Sequence, residues 1–159
     1  GRAPFADRSG CRNTDNRMIR DFDGAKAAVF VGQRLLVYLR DDRLDIPYPA
    51  HWDFPGGGRE GEETPEQTLR REVFEEFGLT FHDAAIHWQR EFRSRHDPDR
   101  YVWFFVLKLP ETVCTEIRFG DEGQRWALMS WEEFAAQENT VPSFAPRLKI
   151  WRDETGGIF

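Results

Sequence analysis

Three glutamates, Glu72, Glu75 and Glu76, lie in a segment with a helical apolar pattern, shortly after three consecutive glycines at positions 56–58. With about 100° between successive residues of a helix, the carboxylates share one arc beside the apolar stripe. Clustered carboxylates repel one another unless a cation lies between them, and hard oxygen ligands suit Mg²⁺ or Mn²⁺. A backbone carbonyl of the glycine run can join them, because no side chain blocks the approach. The pattern indicates a divalent-cation site, with a solvated acidic helix face as the alternative.

The helix that carries these glutamates has local start and stop signals. Thr64 is the predicted N-cap, Pro65 occupies the first helical position, and Gln67 completes a capping box. The helix is predicted to end near Phe77, with Gly78 as its C-terminal stop. Its buried stripe is predicted to contain Leu69, Val73, Phe74 and Phe77.

Strands are predicted on both sides of this helix, over residues 25–31, 35–39, 86–94, 101–109 and 123–129. The first two are joined at Gly32 and Gln33 as a hairpin, and the continuous apolarity of 35–39 predicts a central strand covered on both faces. Two further helices are predicted at 131–137 and 144–152. Because hairpins imply antiparallel pairs, we expect an α/β sandwich with a mixed sheet rather than a doubly wound parallel sheet.

Composition limits the classes of function that the chain can serve. The 159 residues carry 22 Lys and Arg against 28 Asp and Glu, a net charge of −6, which disfavours long nucleic acids as partners. We expect one domain at 24–159 preceded by a polar arm or extension at 1–23. No apolar run resembles a signal peptide or a membrane span, so the expected location is the cytoplasm.

The spacing of the glycine run and the helix resembles the Nudix box, with every fixed position filled. The match reads Gly57-x5-Glu63-x7-Arg71-Glu72-Val73-x-Glu75-Glu76-x-Gly78-Leu79. The resemblance implies an α/β/α sandwich and a metal-dependent pyrophosphohydrolase that cleaves a nucleoside triphosphate or another nucleoside diphosphate derivative by water attack on phosphorus. Such a reaction needs charge neutralisation on the phosphate oxygens and an aligned water more than covalent chemistry from the protein.

Carried over by position, the resemblance assigns Mg²⁺ ligands, with Mn²⁺ as a second metal, to Glu72, Glu75 and Glu76. The carbonyl of Gly56 is implied as a further ligand. Arg71 is implied to orient the glutamates by ion pairing. Two interpretations of Glu63 remain open. It either supports the junction between loop and helix, or it is a surface residue whose negative charge suits the helix dipole.

The segment 120–124 resembles a loop of the MutT branch of the family. Glu122 is therefore a candidate for a further metal ligand or for the general base, with Asp121 as its substitute and an ordinary loop charge as the alternative. The base comes either from the box or from this loop.

Substrate contacts are less specified by the sequence. Arg40 is placed like an arginine that contacts substrate phosphates in MutT-like enzymes, and Arg59 is a weaker alternative. Phe54 either stacks on a base or belongs to the core. Phe144 stands about where MutT-like proteins that select an oxidised guanine carry an amide, and a phenyl ring cannot read a donor–acceptor edge.

Two questions of function stay open at this stage. A small nucleotide is the expected substrate, and a catalytically weak nucleotide-binding or sensing module is the alternative function. With 14 Phe and 6 Trp in a chain of this size, both a monomer and a homodimer remain open.

Overall fold

The computed structural model describes residues 21–159, in which seven strands form one mixed sheet. The order across the sheet is β3-β2-β1-β6-β5, with β4 paired to β1 and β7 paired to β2. The pair β1–β6 is parallel and the others are antiparallel. The strands are β1 Gly24–Val31, β2 Arg34–Leu39, β3 Trp52–Asp53, β4 Gly56–Gly58, β5 Ile86–Arg93, β6 Tyr101–Leu109 and β7 Arg125–Met129.

Helices cover both faces of the sheet and make it an α/β/α sandwich, as predicted. The helices are α1 Pro65–Phe77, α2 Trp131–Ala135 and α3 Phe144–Thr155. Leu69, Val73 and Phe77 of α1 pack on one face in a first core cluster. Phe134 of α2 and Leu148 of α3 belong to a second core cluster on the other face. Residues of β2 enter the two clusters alternately, which confirms a central strand buried on both sides.

The caps predicted for α1 are present. The Thr64 hydroxyl accepts the N–H of Gln67 at 3.2 Å, and the Gln67 side chain accepts the N–H of Thr64 at 2.9 Å. Gly78 adopts φ of 68° and donates its N–H to the carbonyl of Phe74 at 2.8 Å. The helix that carries the glutamates is therefore fixed at both ends by its own sequence.

A wedge of chain separates the first two strands. β1 and β2 pair only beside their hairpin, at Phe30–Leu35 and Val31–Arg34, and then diverge. β3 pairs with the far end of β2, and β4 pairs with the first residues of β1. The segment 52–58, which we call the wedge, thus fills the gap between two diverging strands and brings the glycine run to α1.

Several predictions need correction against the structure. Phe74 is 54% exposed, because it lies at the edge of the apolar arc of α1, so its assignment to the buried stripe was wrong. The two short strands of the wedge were not predicted, since one has only two residues and the other consists of three glycines. The last strand begins at Arg125 rather than at residue 123.

Most of the predicted arm, residues 1–20, lies outside the described residues. The residues that follow pack against the domain: Phe22 is buried beneath the guanidinium of Arg59, 4.5 Å from the ring centroid. No helix within residues 21–159 combines the length and the apolar character needed to cross a membrane. Large apolar side chains exposed in the same part of the chain are Leu44, Phe74, Ile158 and Phe159.

Candidate active site

A cavity of about 470 Å³ lies where the wedge meets the two helical layers. Glu72 and Glu76 line it from α1, and the glycine run lines it from the wedge. Ser143, Phe144 and Arg147 line it from the start of α3. Because α1 and α3 cover opposite faces of the sheet, the cavity is built from both layers.

Glu72 lies directly against the backbone of Gly57. A Cβ atom at Gly57 would stand 1.9 Å from Oε1 of Glu72, so any larger residue would displace the carboxylate. Burial raises the pKa of the Glu72 carboxyl, and Glu75 adds to this rise while Arg71 opposes it. The glycine therefore gives the carboxylate its place beside the main chain.

Glu76 is a buried carboxyl, only 8% exposed, at the floor of the same cavity. Its Oε1 accepts the N–H of Gly56 at 2.9 Å. Burial raises the pKa of Glu76 to about 8, although Lys26 and the Gly56 N–H oppose the rise. Glu72 and Asp53 raise it further, so Glu76 interacts electrostatically with the neighbouring acid of the box.

Arg71 pairs mainly with Glu63 and reaches the other glutamates less closely. Its Nε and Nη2 donate to the two oxygens of Glu63 at 2.8 and 3.0 Å, and Nη2 also donates to the carbonyl of Gly58 at 2.7 Å. Its distances to Glu72 and Glu75 are 3.2 and 3.4 Å. The bidentate hydrogen bond from Arg71 lowers the pKa of Glu63 to about 2, and the Thr68 hydroxyl and the N–H of Glu60 are further donors. Glu63 thus ties the loop to the helix.

Asp53, which was not selected from the sequence, lines the cavity and holds several polar side chains in place. It is 1% exposed, and its Oδ2 accepts bonds from Lys26 Nζ at 3.0 Å, Tyr38 Oη at 2.9 Å and Arg40 Nη1 at 2.8 Å. Its Oδ1 accepts the N–H of Phe54. Burial, followed by the charge of Asp53, raises the pKa of Tyr38, so that the phenol stays a donor.

Lys26 and Tyr38 were also missed, because strand residues of this kind carry no motif. A sequence signal was present all the same: Asp53 stands between Trp52 and Phe54, and a charged residue between two apolar aromatics needs buried partners. The cations that flank the wedge were the candidates for those partners.

The remaining predicted site residues are not all brought together. Arg40 lines the cavity and also donates to the carbonyl of Pro47 at 2.9 Å. Glu122 lines the cavity from an exposed loop, whereas Asp121 does not. Glu75 lies outside the lining, with its carboxylate beside Arg71. Arg59 donates to the carbonyl of Glu63 outside the cavity.

The two predicted aromatic contacts stack on each other. The rings of Phe54 and Phe144 lie 4.3 Å apart and 6° from parallel. Both rings belong to the second core cluster, with Phe54 0% and Phe144 1% exposed, and of the two only Phe144 is part of the cavity lining. In this arrangement Phe54 supports the ring that faces the cavity.

The acidic end of the cavity fits a divalent cation by its chemistry. Glu72 and Glu76 offer hard carboxylate oxygens beside an open backbone, and burial raises the pKa of both because their charges lack full compensation. Within residues 21–159, no three His, Cys, Asp or Glu side chains are already gathered closely enough to hold a metal ion.

Comparison with known proteins decides the family. A family model for the NUDIX domain matches residues 20–149. The chain belongs to the Nudix family. This confirms the resemblance predicted from the box, and members of the family generally use divalent metal ions.

Relatives of this Nudix chain carry two different descriptions. The RNA pyrophosphohydrolase of Aliivibrio fischeri (strain MJ11) is 50% identical over 115 residues, which are 66% of this chain and 58% of that protein. The 8-oxo-dGTP diphosphatase of Haemophilus influenzae is 36% identical over 88 residues, 55% of this chain and 61% of that protein. The chain therefore spans less than two thirds of the length of either relative.

The fold of the Nudix chain also matches a solved structure. The MutT protein from Methanosarcina mazei Go1 superposes with a TM-score of 0.65 at 20% identity, covering 85% of this chain and 96% of that one. At this level of identity the match concerns the fold, and it agrees with the predicted mixed sheet between helical layers.

Proposed function

We propose that this Nudix chain is a divalent-cation-dependent pyrophosphohydrolase of a nucleoside triphosphate or another nucleoside diphosphate derivative. The observation that carries the proposal is the placement of Glu72 and Glu76 against the glycine run, at one end of a cavity of about 470 Å³. Relatives described as an RNA pyrophosphohydrolase and an 8-oxo-dGTP diphosphatase support the reaction class.

Mg²⁺ is the proposed cofactor, with Mn²⁺ as an alternative. Glu72, Glu76 and the carbonyl of Gly56 would hold it, and Glu75 and Glu122 are further proposed ligands. When bound, the cation neutralises phosphate oxygens and favours attack by water on phosphorus. Glu75 would have to turn away from Arg71, 3.4 Å from its carboxylate, to join the others, and its side chain is 54% exposed.

Lys26 and Arg40 are the proposed phosphate-binding cations. Both line the cavity and both are held by Asp53, with Nζ and Nη1 at 3.0 and 2.8 Å from its Oδ2. Each keeps about a fifth to a quarter of its side chain exposed, so donors remain available for phosphate oxygens. Asp53 fixes their position and thus acts as a positioning residue.

A carboxylate must accept the proton of the attacking water while the phosphoanhydride bond breaks and the leaving phosphate takes the electron pair. Glu122 is one proposed base, because it lines the cavity from an exposed loop. A glutamate of the box is the other. The rate of Glu122→Gln as a function of pH separates them, since loss of the base removes the acidic limb of the profile.

The experiment that tests the function is incubation with a panel of nucleotides in Mg²⁺, followed by chromatographic separation of the products. The panel contains ordinary and oxidised triphosphates, ADP-ribose, a nucleotide sugar, a dinucleoside polyphosphate and a 5′-triphosphorylated oligonucleotide. We expect nucleoside monophosphate with pyrophosphate, or an equivalent split of the anhydride. Absence of any product in Mg²⁺ and in Mn²⁺ would refute the hydrolase.

A nucleotide-binding or sensing module is the second candidate, and the position of Glu75 outside the cavity lining favours it. It predicts nucleotide binding at micromolar concentration without turnover over hours. Equilibrium binding measured beside the product assay distinguishes the two functions.

A further inference from the structure

Arg147, in the first turn of α3, lines the cavity but has no part in the chemistry proposed above. The residue is only 8% exposed. Among residues 21–159, no acidic side chain pairs with its guanidinium, which lies over the ring of Phe92 at 5.0 Å. Burial, and after it the charge of Arg95, lowers the pKa of Arg147 to about 10, so it stays protonated at neutral pH. A cation this buried, without an acidic partner in the described part of the chain, is stabilised by acceptors from a ligand.

The surroundings of Arg147 suit a flat ring. Phe144 is only 1% exposed; it lies beneath the neighbouring part of the cavity lining, where it is held parallel to Phe54 at 4.3 Å. Val102 and Val141 line the same cavity. Arg95 lines the cavity as well, and its charge acts on Arg147. A planar group with acceptor atoms on its edge suits both the apolar walls and these two cations.

Phosphates have their own cations elsewhere in the cavity. Lys26 interacts with Glu76, and both Lys26 and Arg40 are joined through Asp53 on the wedge. Arg147 reaches the cavity from α3, on the opposite helical layer from the glutamates of α1. A nucleotide with its diphosphate beside the glutamates would direct its base toward the α3 layer.

We propose that Arg147 is a specificity residue, whose guanidinium donates two hydrogen bonds to O6 and N7 of a guanine ring. The fork of an arginine matches this pair of acceptors in one plane. The inference rests on the proposed function, because it names the base of the nucleotide which that function hydrolyses.

Because arginine only donates hydrogen bonds, Arg147 should distinguish guanine from bases that present a donor at position 6 or 7. Adenine offers N7 as an acceptor but an amino group at position 6, and arginine has no acceptor for that amino group. In 8-oxoguanine N7 carries a hydrogen and becomes a donor, so one of the two bonds to Arg147 is lost. We therefore expect guanine to be preferred over both adenine and 8-oxoguanine.

The test measures kcat/KM for GTP, ATP, dGTP and 8-oxo-dGTP with the wild-type protein, Arg147→Lys and Arg147→Met. We expect the wild type to prefer GTP over ATP, and dGTP over 8-oxo-dGTP, by about ten- to a hundredfold. Arg147→Met should lose this preference, and Arg147→Lys should keep only part of it, because lysine can still donate to O6 and N7 but lacks the planar fork of arginine. Lys149→Gln removes an exposed charge from the same helix, paired with Asp153, and should keep the preference.

Two kinetic outcomes overturn the inference. One is a wild-type protein that treats guanine and adenine nucleotides alike. The other is an equal loss of rate for every nucleotide in Arg147→Met that Arg147→Lys restores, which would indicate a phosphate contact. Melting temperatures show whether each variant is folded, and Arg147→Lys carries the test if Arg147→Met is not.

Binding without metal separates this inference from the proposed function. The dissociation constants of GMP and AMP are measured by tryptophan fluorescence in EDTA. If no nucleotide is hydrolysed but GMP binds more tightly than AMP and Arg147→Met abolishes the difference, the inference holds and the hydrolase fails. Hydrolysis without any base preference refutes the inference alone. Neither hydrolysis nor selective binding refutes both.

Discussion

The backbone N–H of Gly56 donates a hydrogen bond of 2.9 Å to Oε1 of Glu76, across 20 positions of sequence. Gly56 can make this contact because its φ is 128° and because a Cβ there would lie 2.1 Å from the carbonyl oxygen of Ala25. The bond joins the wedge to α1 and holds a carboxyl group inside the protein. The pH dependence of stability and the expected effect of substituting Glu76 both depend on that burial.

Glu76→Gln should abolish most of the activity without unfolding the protein. The amide oxygen can still accept the Gly56 N–H, but the negative charge that would bind a cation is gone. Because changes in groups that only support metal ligands cost about 10- to 100-fold, we expect the loss of a ligand to reduce kcat by about a hundredfold or more. Glu66→Gln, on the same helix but outside the cavity, is the control. Turnover of Glu76→Gln near that of the wild type would contradict the role of Glu76.

The metal-free protein should lose stability as the pH rises from 5.5 to 8. Burial raises the pKa of Glu76 from 4.5 to about 8, so in this range the folded chain keeps a proton that the unfolded chain releases. The stabilisation is complete below pH 4.5 and is lost as the pH rises through the folded value. Melting temperatures in EDTA measure the slope, and Glu76→Gln should flatten it.

Glu63 provides the control for this pH dependence. Its pKa is lowered to about 2 by Arg71, so it is ionised in both the folded and unfolded chain above pH 5.5. Glu63→Gln should lower the melting temperature by a similar amount at every pH in the range. An equal slope in wild type and Glu76→Gln would show that another group causes the effect.

Mg²⁺ or Mn²⁺ should raise the melting temperature at pH 8. A ligand present at 100 times its dissociation constant stabilises the folded form by about 2.7 kcal/mol. In a domain of this size, that corresponds to a rise of about 5–10 °C. EDTA should reverse the rise, and a Glu72→Gln, Glu76→Gln double variant should not show it. A rise that persists in the double variant would place the cation elsewhere.

Gly57→Ala should give a stable protein with little metal response. The new methyl group would stand 1.9 Å from Oε1 of Glu72, and the flexible carboxylate would move rather than the backbone. We expect a small change in melting temperature together with a large loss of kcat. Gly61→Ala is the matched control, since its φ is 55° but no atom lies within 4 Å of the added carbon. It should cost about 1 kcal/mol of stability and leave the kinetics intact.

Asp53→Asn should destabilise the protein and weaken substrate binding together. Lys26, Tyr38 and Arg40 would then face a neutral amide, and breaking a buried pair in this way costs about 3 kcal/mol or more. The expected fall in melting temperature is about 6–12 °C. Asp45→Asn removes an exposed pair with Arg43 and should leave the melting temperature unchanged. An unchanged KM in Asp53→Asn would contradict its role in holding the phosphate-binding cations.

The parts of the fold that the sequence predicted are those with local signals. Thr64 and Gln67 mark the start of α1 and Gly78 marks its end, and the continuous apolarity of β2 indicates directly that both of its faces are buried. Phe74 was placed wrongly because helical geometry gives an angle but not the presence of a neighbour to cover it. The wedge was missed because strands of two and three residues have no period to detect.

The site, like the fold, contains some residues that local sequence signals reveal and others that only the tertiary structure reveals. The glutamates of the box could be found because their spacing along one helix carries the information. Asp53 lies 27 residues from Lys26, 15 from Tyr38 and 13 from Arg40, and only the tertiary structure brings them together. Arg147 in the sequence looks like any polar residue of an amphipathic helix, and its burial depends on the packing of α3 against Phe92 and the sheet.

The divergence of β1 and β2 gives the cavity a fixed length. Glutamates enter it from the helix on one face of the sheet and Arg147 from the helix on the other, with the wedge between them. A molecule that reaches both ends must match the distance between two rigid layers. For the proposed nucleotide, the span between phosphate and base would then be selected by the spacing of the two layers, and substitutions that shift α3 along the sheet would alter substrate choice without touching any contact residue.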